Sequence, residues 1–112
     1  LRLFLTAVNE GKITLDRLVR LISYNPARIF GVYPRKGVIQ VGSDADLVII
    51  DMNREETISN ATTYTKVGWT PYDGRRVKGI PTRTIVRGRV VMQESEVIGE
   101  PGYGEFVTRV GG

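Results

Sequence analysis

The stretch from Asn25 to Asp51 reads Asn25-Pro26-Ala27-Arg28-Ile29-Phe30-Gly31-Val32-Tyr33-Pro34-Arg35-Lys36-Gly37-Val38-Ile39-Gln40-Val41-Gly42-Ser43-Asp44-Ala45-Asp46-Leu47-Val48-Ile49-Ile50-Asp51. Its hydrophobic period changes partway along. Pro26 disfavours helical geometry at the residue before it, so a helix arriving from upstream ends or kinks at Asn25. Asn25 then caps a new turn with Pro26 at its first position, and Gly31 closes that turn after Ile29 and Phe30. Gly37 and Gly42 bracket a short strand over residues 38–41. Ser43-Asp44-Ala45-Asp46 is a turn whose carboxylates suit bonds to nearby backbone N–H groups. Leu47-Val48-Ile49-Ile50 is a continuous apolar strand, expected to be buried on both faces or nearly so. Helix followed by turn-separated strands places the chain in the α+β class.

Upstream, Leu1–Val8 favours a helix, with Leu1, Leu5 and Val8 near one face and Leu3 and Phe4 widening it. No Ser, Thr, Asp or Asn precedes this apolar start to cap it, which predicts further residues before Leu1. The helix should stop at Asn9-Glu10-Gly11, where Gly11 suits the left-handed position after a helix end. Thr14 caps a second helix, with Asp16 in its first turn where the macrodipole favours a negative charge. Leu15, Leu18, Val19 and Ile22 follow the i, i+3, i+4, i+7 pattern.

Downstream, residues 57–58 and 64–67 read as short edge strands. Trp69–Gly74 is an aromatic turn with Pro71 at its second position. Residues 82–86 and 90–92 flank Arg87-Gly88-Arg89 as a hairpin with glycine at its tip. The tail Gly99–Val107 is glycine-rich yet carries Tyr103 and Phe106. Such aromatics need a surface to dock on, either the chain's own domain or a neighbouring subunit.

At 112 residues there is room for one domain, with 41% apolar and 25% charged content, as in ordinary globular proteins. No apolar run approaches the roughly 18–20 residues needed to cross a bilayer. The net charge of +4 comes from scattered basic residues. The densest cluster, Arg75-Arg76-Val77-Lys78, is short and gives no continuous basic face for phosphates. Neither nucleic acid nor membrane is therefore an expected partner.

Cysteine and histidine are both absent. That excludes disulfides, thiolate metal sites, a cysteine nucleophile, a Ser-His-Asp triad and imidazole ligation of zinc within these residues. The lack of cysteine fits a reducing compartment, and the cytoplasm is the expected location. Asp44, Asp46 and Asp51 invite a calcium reading, but the glycine and distal glutamate of a calcium loop are missing at the required spacing. They read as turn and strand-end groups, so no residue is assigned a catalytic, cofactor-binding or metal-binding role.

The order of Leu15–Ile22, Asn25–Gly31, Lys36-Gly37, Gly42–Asp51, Thr70–Gly74, Lys78-Gly79, Arg87-Gly88 and Gly99–Val107 resembles the C-terminal segment of the cyclic amidohydrolases. Dihydroorotase, allantoinase and hydantoinase (dihydropyrimidinase) form that branch. The resemblance implies a metal-dependent (β/α)8 barrel beside a small β-sandwich. It also implies one or two zinc ions activating water to open a cyclic amide, with every catalytic position upstream of Leu1. None of Lys12, Lys36, Lys66 or Lys78 stands in the setting of that family's carboxylated lysine. On this resemblance residues 1–31 are the terminal barrel helices and a packing helix. Residues 32–98 are the C-terminal part of the sandwich, and 99–112 are a tail.

The implied partners are the upstream remainder of the chain, further copies of it and a small cyclic amide. The segment alone is expected to be inactive. Dihydroorotase is slightly favoured over hydantoinase and allantoinase. The alternative is a non-catalytic assembly module in which the fold survives without its metal site.

Overall fold

The computed structural model describes residues 1–111. Helix α1 (Arg2–Asn9) is followed by α2 (Leu15–Val19), a π-helical turn over Arg20–Tyr24, and α3 (Asn25–Ile29). A long loop leads to β1 (Leu47–Thr57). A 3-10 turn (Asn60–Thr62) precedes β2 (Arg76–Val86), β3 (Arg89–Gln93) and β4 (Glu96–Val97). The strands form one antiparallel sheet in the order β1-β2-β3-β4. Among the described residues no helix is long and apolar enough to cross a membrane.

The helical segment follows the expected punctuation up to Pro26. Thr14 caps α2, its hydroxyl accepting from the Arg17 N–H at 3.2 Å. At Asn25 the outcome differs from a cap: the residue is helical (φ −64°, ψ −46°) and the chain runs through it without a break. Pro26 offers no N–H to the carbonyl four residues back. The preceding turn widens instead, so that the Asn25 N–H reaches the Arg20 carbonyl five residues away. A π-turn is one way for a helix to absorb such a residue. After α3 the orphan carbonyl of Ala27 accepts from the N–H groups of both Val32 and Tyr33, at 2.9 and 3.0 Å.

Residues 38–41 are not a strand. Their stretch closes on itself through Ser43 N–H to the Gln40 carbonyl and Asp44 N–H to the Arg35 carbonyl. Ile39 and Val41 are left 86% and 103% exposed, with none of the described strands beside them. Gly37 sits directly over α3, where any side chain would collide with Ala27.

β1 is longer than expected. It takes in residues 51–57 because an equally long β2 lies beside it, and residues 64–67 form a loop instead of an edge strand. Nor is β1 covered on both faces. Val48 and Ile49, successive residues that point to opposite faces of the sheet, remain 41% and 46% exposed. The hairpin turns at Arg87-Gly88 as the glycine indicated, with Val86 opposite Arg89.

The core is Leu5, Leu18, Ala27, Val77 and Ile80. Its centre is the contact of α1 with β2. Gly79 lies so close under α1 that a Cβ there would stand 2.7 Å from Leu5 Cβ and 3.3 Å from Asn9 Nδ2. Its φ of +101° also disfavours any side chain.

The sheet register slips beside this point. Asp51 faces Ile80 and Glu55 faces Lys78, so β1 carries extra residues. Such a bulge leaves ladder groups unpaired, and α1 satisfies them. Asn9 Nδ2 donates to the Met52 and Lys78 carbonyls, both at 3.0 Å. Thr6 Oγ accepts from the Lys78 N–H at 3.0 Å. Asp51 bonds within the bulge, accepting from the Asn53 and Arg54 N–H groups.

Gly79→Ala should therefore lower stability by about 3 kcal/mol, from backbone strain and overpacking together. Leu5→Ala should cost about 2–5 kcal/mol through the cavity it leaves. Urea unfolding of the two variants checks both, and a silent Gly79→Ala would mean that helix and strand are not in close contact.

Candidate functional site

Two polar constellations stand out beyond the core. The first gathers the charges of the loop between α3 and β1. Lys36 Nζ lies 2.9 Å from Asp44 Oδ2 and also pairs with Asp46, while Arg35 Nε donates to Asp44 Oδ2 at 2.9 Å. Asp46 further accepts the backbone N–H of Arg87 at 2.8 Å, and the Gly88 N–H bonds the Ala45 carbonyl at 2.9 Å. The loop is thereby stapled to the tip of the β2–β3 hairpin. Ser43 closes it from the other side by donating to the Pro34 carbonyl at 2.6 Å.

Hydrogen bonds from Lys36 and then Arg35 hold the Asp44 carboxyl below its ordinary value of 3.8. Burial pushes Asp46 the other way, but the bonds from Lys36 and from the Arg87 N–H outweigh it and leave it lowered too. Burial likewise opposes the charge of Lys36, and its bonds to Asp46 and Asp44 still raise it above 10.5.

The second constellation lines an open cleft of about 920 Å³ between α1, β1, the 3-10 turn and β3. Arg54 bridges Glu56, at 3.0 Å, and Glu94. Arg2 reaches Glu56 at 3.4 Å and donates to the Ser95 hydroxyl at 3.2 Å. Tyr64 crosses the cleft to donate to the Ser95 carbonyl at 2.6 Å. The hydrogen bond to Glu94, followed by its charge, holds Arg54 still more firmly protonated. These charges are spent on one another, so the cleft offers neither a nucleophile nor a base with a partner to activate it.

Asp44 and Asp46 are thus brought together, on a lysine, while Asp51 lies apart in the β1 bulge. Among the described residues no group of three or more carboxylates stands close enough to hold a metal ion. The zinc implied by the resemblance does not fit these residues: imidazole and thiolate are absent, and the nearest pair of carboxylates is occupied by cations. Arg76, in the basic cluster at the start of β2, is paired with Glu55 at 2.9 Å.

Sequence reasoning missed Thr6 and Asn9, which carry the polar half of the helix–sheet contact. Their signal was present, since both lie within a turn of Leu5 on the same side of α1. It also missed Tyr64, for which nothing local announces the distant Ser95.

The lowered values of Asp44 and Asp46 mean that their contribution to stability is fully present above pH 3.8 and is lost as the pH falls through the lower, folded-state values. The raised value of Lys36 means that its contribution is present below pH 10.5 and is lost only above that. The staple should hold throughout the window between. An NMR titration of the Arg87 amide, which reports on Asp46, should show a midpoint below 3.8; a midpoint at or above that value would remove the staple.

The family model described as "Amidohydrolase family" matches residues 1–91. The chain is 45% identical over 102 residues to an L-hydantoinase of Paenarthrobacter aurescens, covering 91% of this chain and 22% of that protein. It is 51% identical over 109 residues to a dihydroorotase of Pyrococcus furiosus, covering 97% of this chain and 26% of that one. The solved L-hydantoinase (dihydropyrimidinase) from Arthrobacter aurescens superposes with a TM-score of 0.94 at 44% identity, over 97% of this chain and 24% of that chain. The chain thus spans about a quarter of the length of the relatives it matches. Sequence and fold agree that this chain, with α1 seated on a four-stranded antiparallel sheet, belongs to the amidohydrolase family.

Proposed function

We propose that this chain is the C-terminal part of a hydrolase that opens cyclic amides, and that it braces a catalytic centre supplied by the rest of a longer protein. The observation that carries the reading is the identity of 45–51% with an L-hydantoinase and a dihydroorotase over nearly the whole chain. The uncovered faces support it. Val48 and Ile49 on β1, and Leu21, Ile22 and Phe30 on the helical segment, are exposed apolar groups of a kind that a neighbouring (β/α)8 barrel and the remaining strands of a sandwich would cover. On this reading residues 1–31 close the barrel and residues 32–98 complete the sandwich.

Zinc, further copies of the chain and a cytoplasmic setting belong to the proposal at the level of the whole enzyme. No step is assigned to any residue here. The role of these residues is mechanical, in that the α1–β2 contact and the charged staple hold the segment in one shape. Dihydroorotate is the slightly favoured substrate, consistent with the 51% identity to a dihydroorotase, and hydantoins, dihydropyrimidines and allantoin are the alternatives.

The test is hydrolysis of dihydroorotate, hydantoin, dihydrouracil and allantoin by the full-length protein. Ring opening of at least one of them is expected, with none by residues 1–112 alone. A full-length protein inert toward all four would overturn the enzymatic reading in favour of a non-catalytic assembly module.

A further inference from the structure

The C-terminal tail returns across the molecule and is held near its two ends. At the first anchor the Tyr103 ring packs against two guanidinium groups of the hairpin, with Arg87 Cζ 4.3 Å and Arg89 Cζ 5.3 Å from its centroid. The Tyr103 hydroxyl donates to the Val86 carbonyl at 3.0 Å, and the Arg87 guanidinium donates to the Tyr103 carbonyl. Tail carboxylates flank the ring in matching order, Glu100 beside Arg89 and Glu105 beside Arg87, each at 3.6 Å. At the second anchor the Val110 N–H donates to the Gly31 carbonyl at 2.7 Å, just past the end of α3. Between the anchors Phe106 is 91% exposed, so the tail is fastened at its ends and bears little along its length.

Arg87 belongs to both the tail latch and the loop staple. Its side chain holds Tyr103, while its backbone N–H is bonded to Asp46. It also adopts φ +46° at the first position of a two-residue hairpin turn, where asparagine or glycine is the usual occupant. A bulky residue in this conformation is strained, and such strain persists where the surroundings determine it. Here the surroundings are contacts on both the backbone and the side-chain end of Arg87.

We propose that residues 99–110 form a releasable strap latched by Tyr103 against Arg87 and Arg89, and that Arg87 couples this latch to the loop of residues 32–46. The path is physically closed. Gly31 leads into the loop, the loop is bonded to the hairpin tip through Asp46, the hairpin holds Tyr103, and the tail returns to Gly31 through Val110. Each anchor limits the freedom of the other, so losing one raises the entropy that the second must oppose. The latch consists of exposed and half-exposed contacts, whereas the α1–β2 core is apolar and buried. It should therefore open at a lower free energy than the core.

The test is amide hydrogen exchange on the full-length protein at neutral pH. Tyr103→Ala should speed exchange at Val110 at least about tenfold, and should also speed exchange at Asp44 and Gly88, while the Lys78 amide under α1 is unchanged. Asp46→Asn, which weakens only the loop side, should speed exchange at Val110 as well. Tyr103→Phe keeps the stacking but removes the bond to Val86, and should fall between wild type and Tyr103→Ala. It provides the reading if the alanine variant loses protection at Lys78.

No change at Val110 in either Tyr103 variant would overturn the latch. A Val110 response to Tyr103→Ala but none to Asp46→Asn would overturn the coupling. Protection of Val110 that is lost on dilution would mean that a second copy donates the tail, which overturns a strap latched within one chain.

Discussion

Everything else in this segment is arranged around the close approach of α1 to β2 at Gly79. Only a residue without a side chain lets Leu5 descend onto the strand, where it is fully buried with Val77 and Ile80. That descent brings Thr6 and Asn9 within reach of the Lys78 and Met52 backbone groups. The apolar contact and the polar contact therefore require each other. A bulged sheet exposes donors and acceptors that need partners, and a helix at ordinary packing distance would leave them unpaired inside the interface.

The charged groups do a different kind of work. Lys36 with Asp44 and Asp46, and Arg54 with Glu56 and Glu94, are paired within the chain and partly exposed. Pairs of this kind contribute modestly to stability, but they set geometry. Lys36 closes the long loop on itself and holds Asp46 where it accepts the Arg87 N–H of the hairpin, and Arg54 ties the bulged strand to Glu94 in the turn after β3. Asp44 and Asp46, the carboxylates that the sequence offers as a candidate cation site, are thereby taken up by Lys36 and Arg35.

Much of the helical half was legible in the chain. Thr14, Asp16 and the Leu15–Ile22 spacing act within one or two turns, and local interactions of that range are written directly in sequence. The hairpin at Arg87-Gly88 is legible for the same reason. Asn25-Pro26 was only half readable. Proline dictates that one hydrogen bond is missing, but it leaves open whether the helix stops or, as here, widens into a π-turn. Residues 38–41 show the limit of bracketing glycines as a strand signal. A strand exists only if another lies beside it, and no pattern internal to four residues supplies a neighbour.

Residue identity and short-range contacts were enough for the family, the α+β class, the Thr14 cap, the left-handed Gly11 after α1 and the absence of histidine and cysteine chemistry in these residues. Each of these depends on residue identity or on contacts a few residues apart. The packed fold was needed for the length and bulge of β1, the pairing of Asn9 with Met52, the occupation of Asp44 and Asp46 by Lys36, and the seating of Tyr103 against two arginines. The partners lie 10 residues apart for Lys36 and Asp46, 16 for Arg87 and Tyr103 and 43 for Asn9 and Met52, and which groups meet is set by how closely one backbone can approach another.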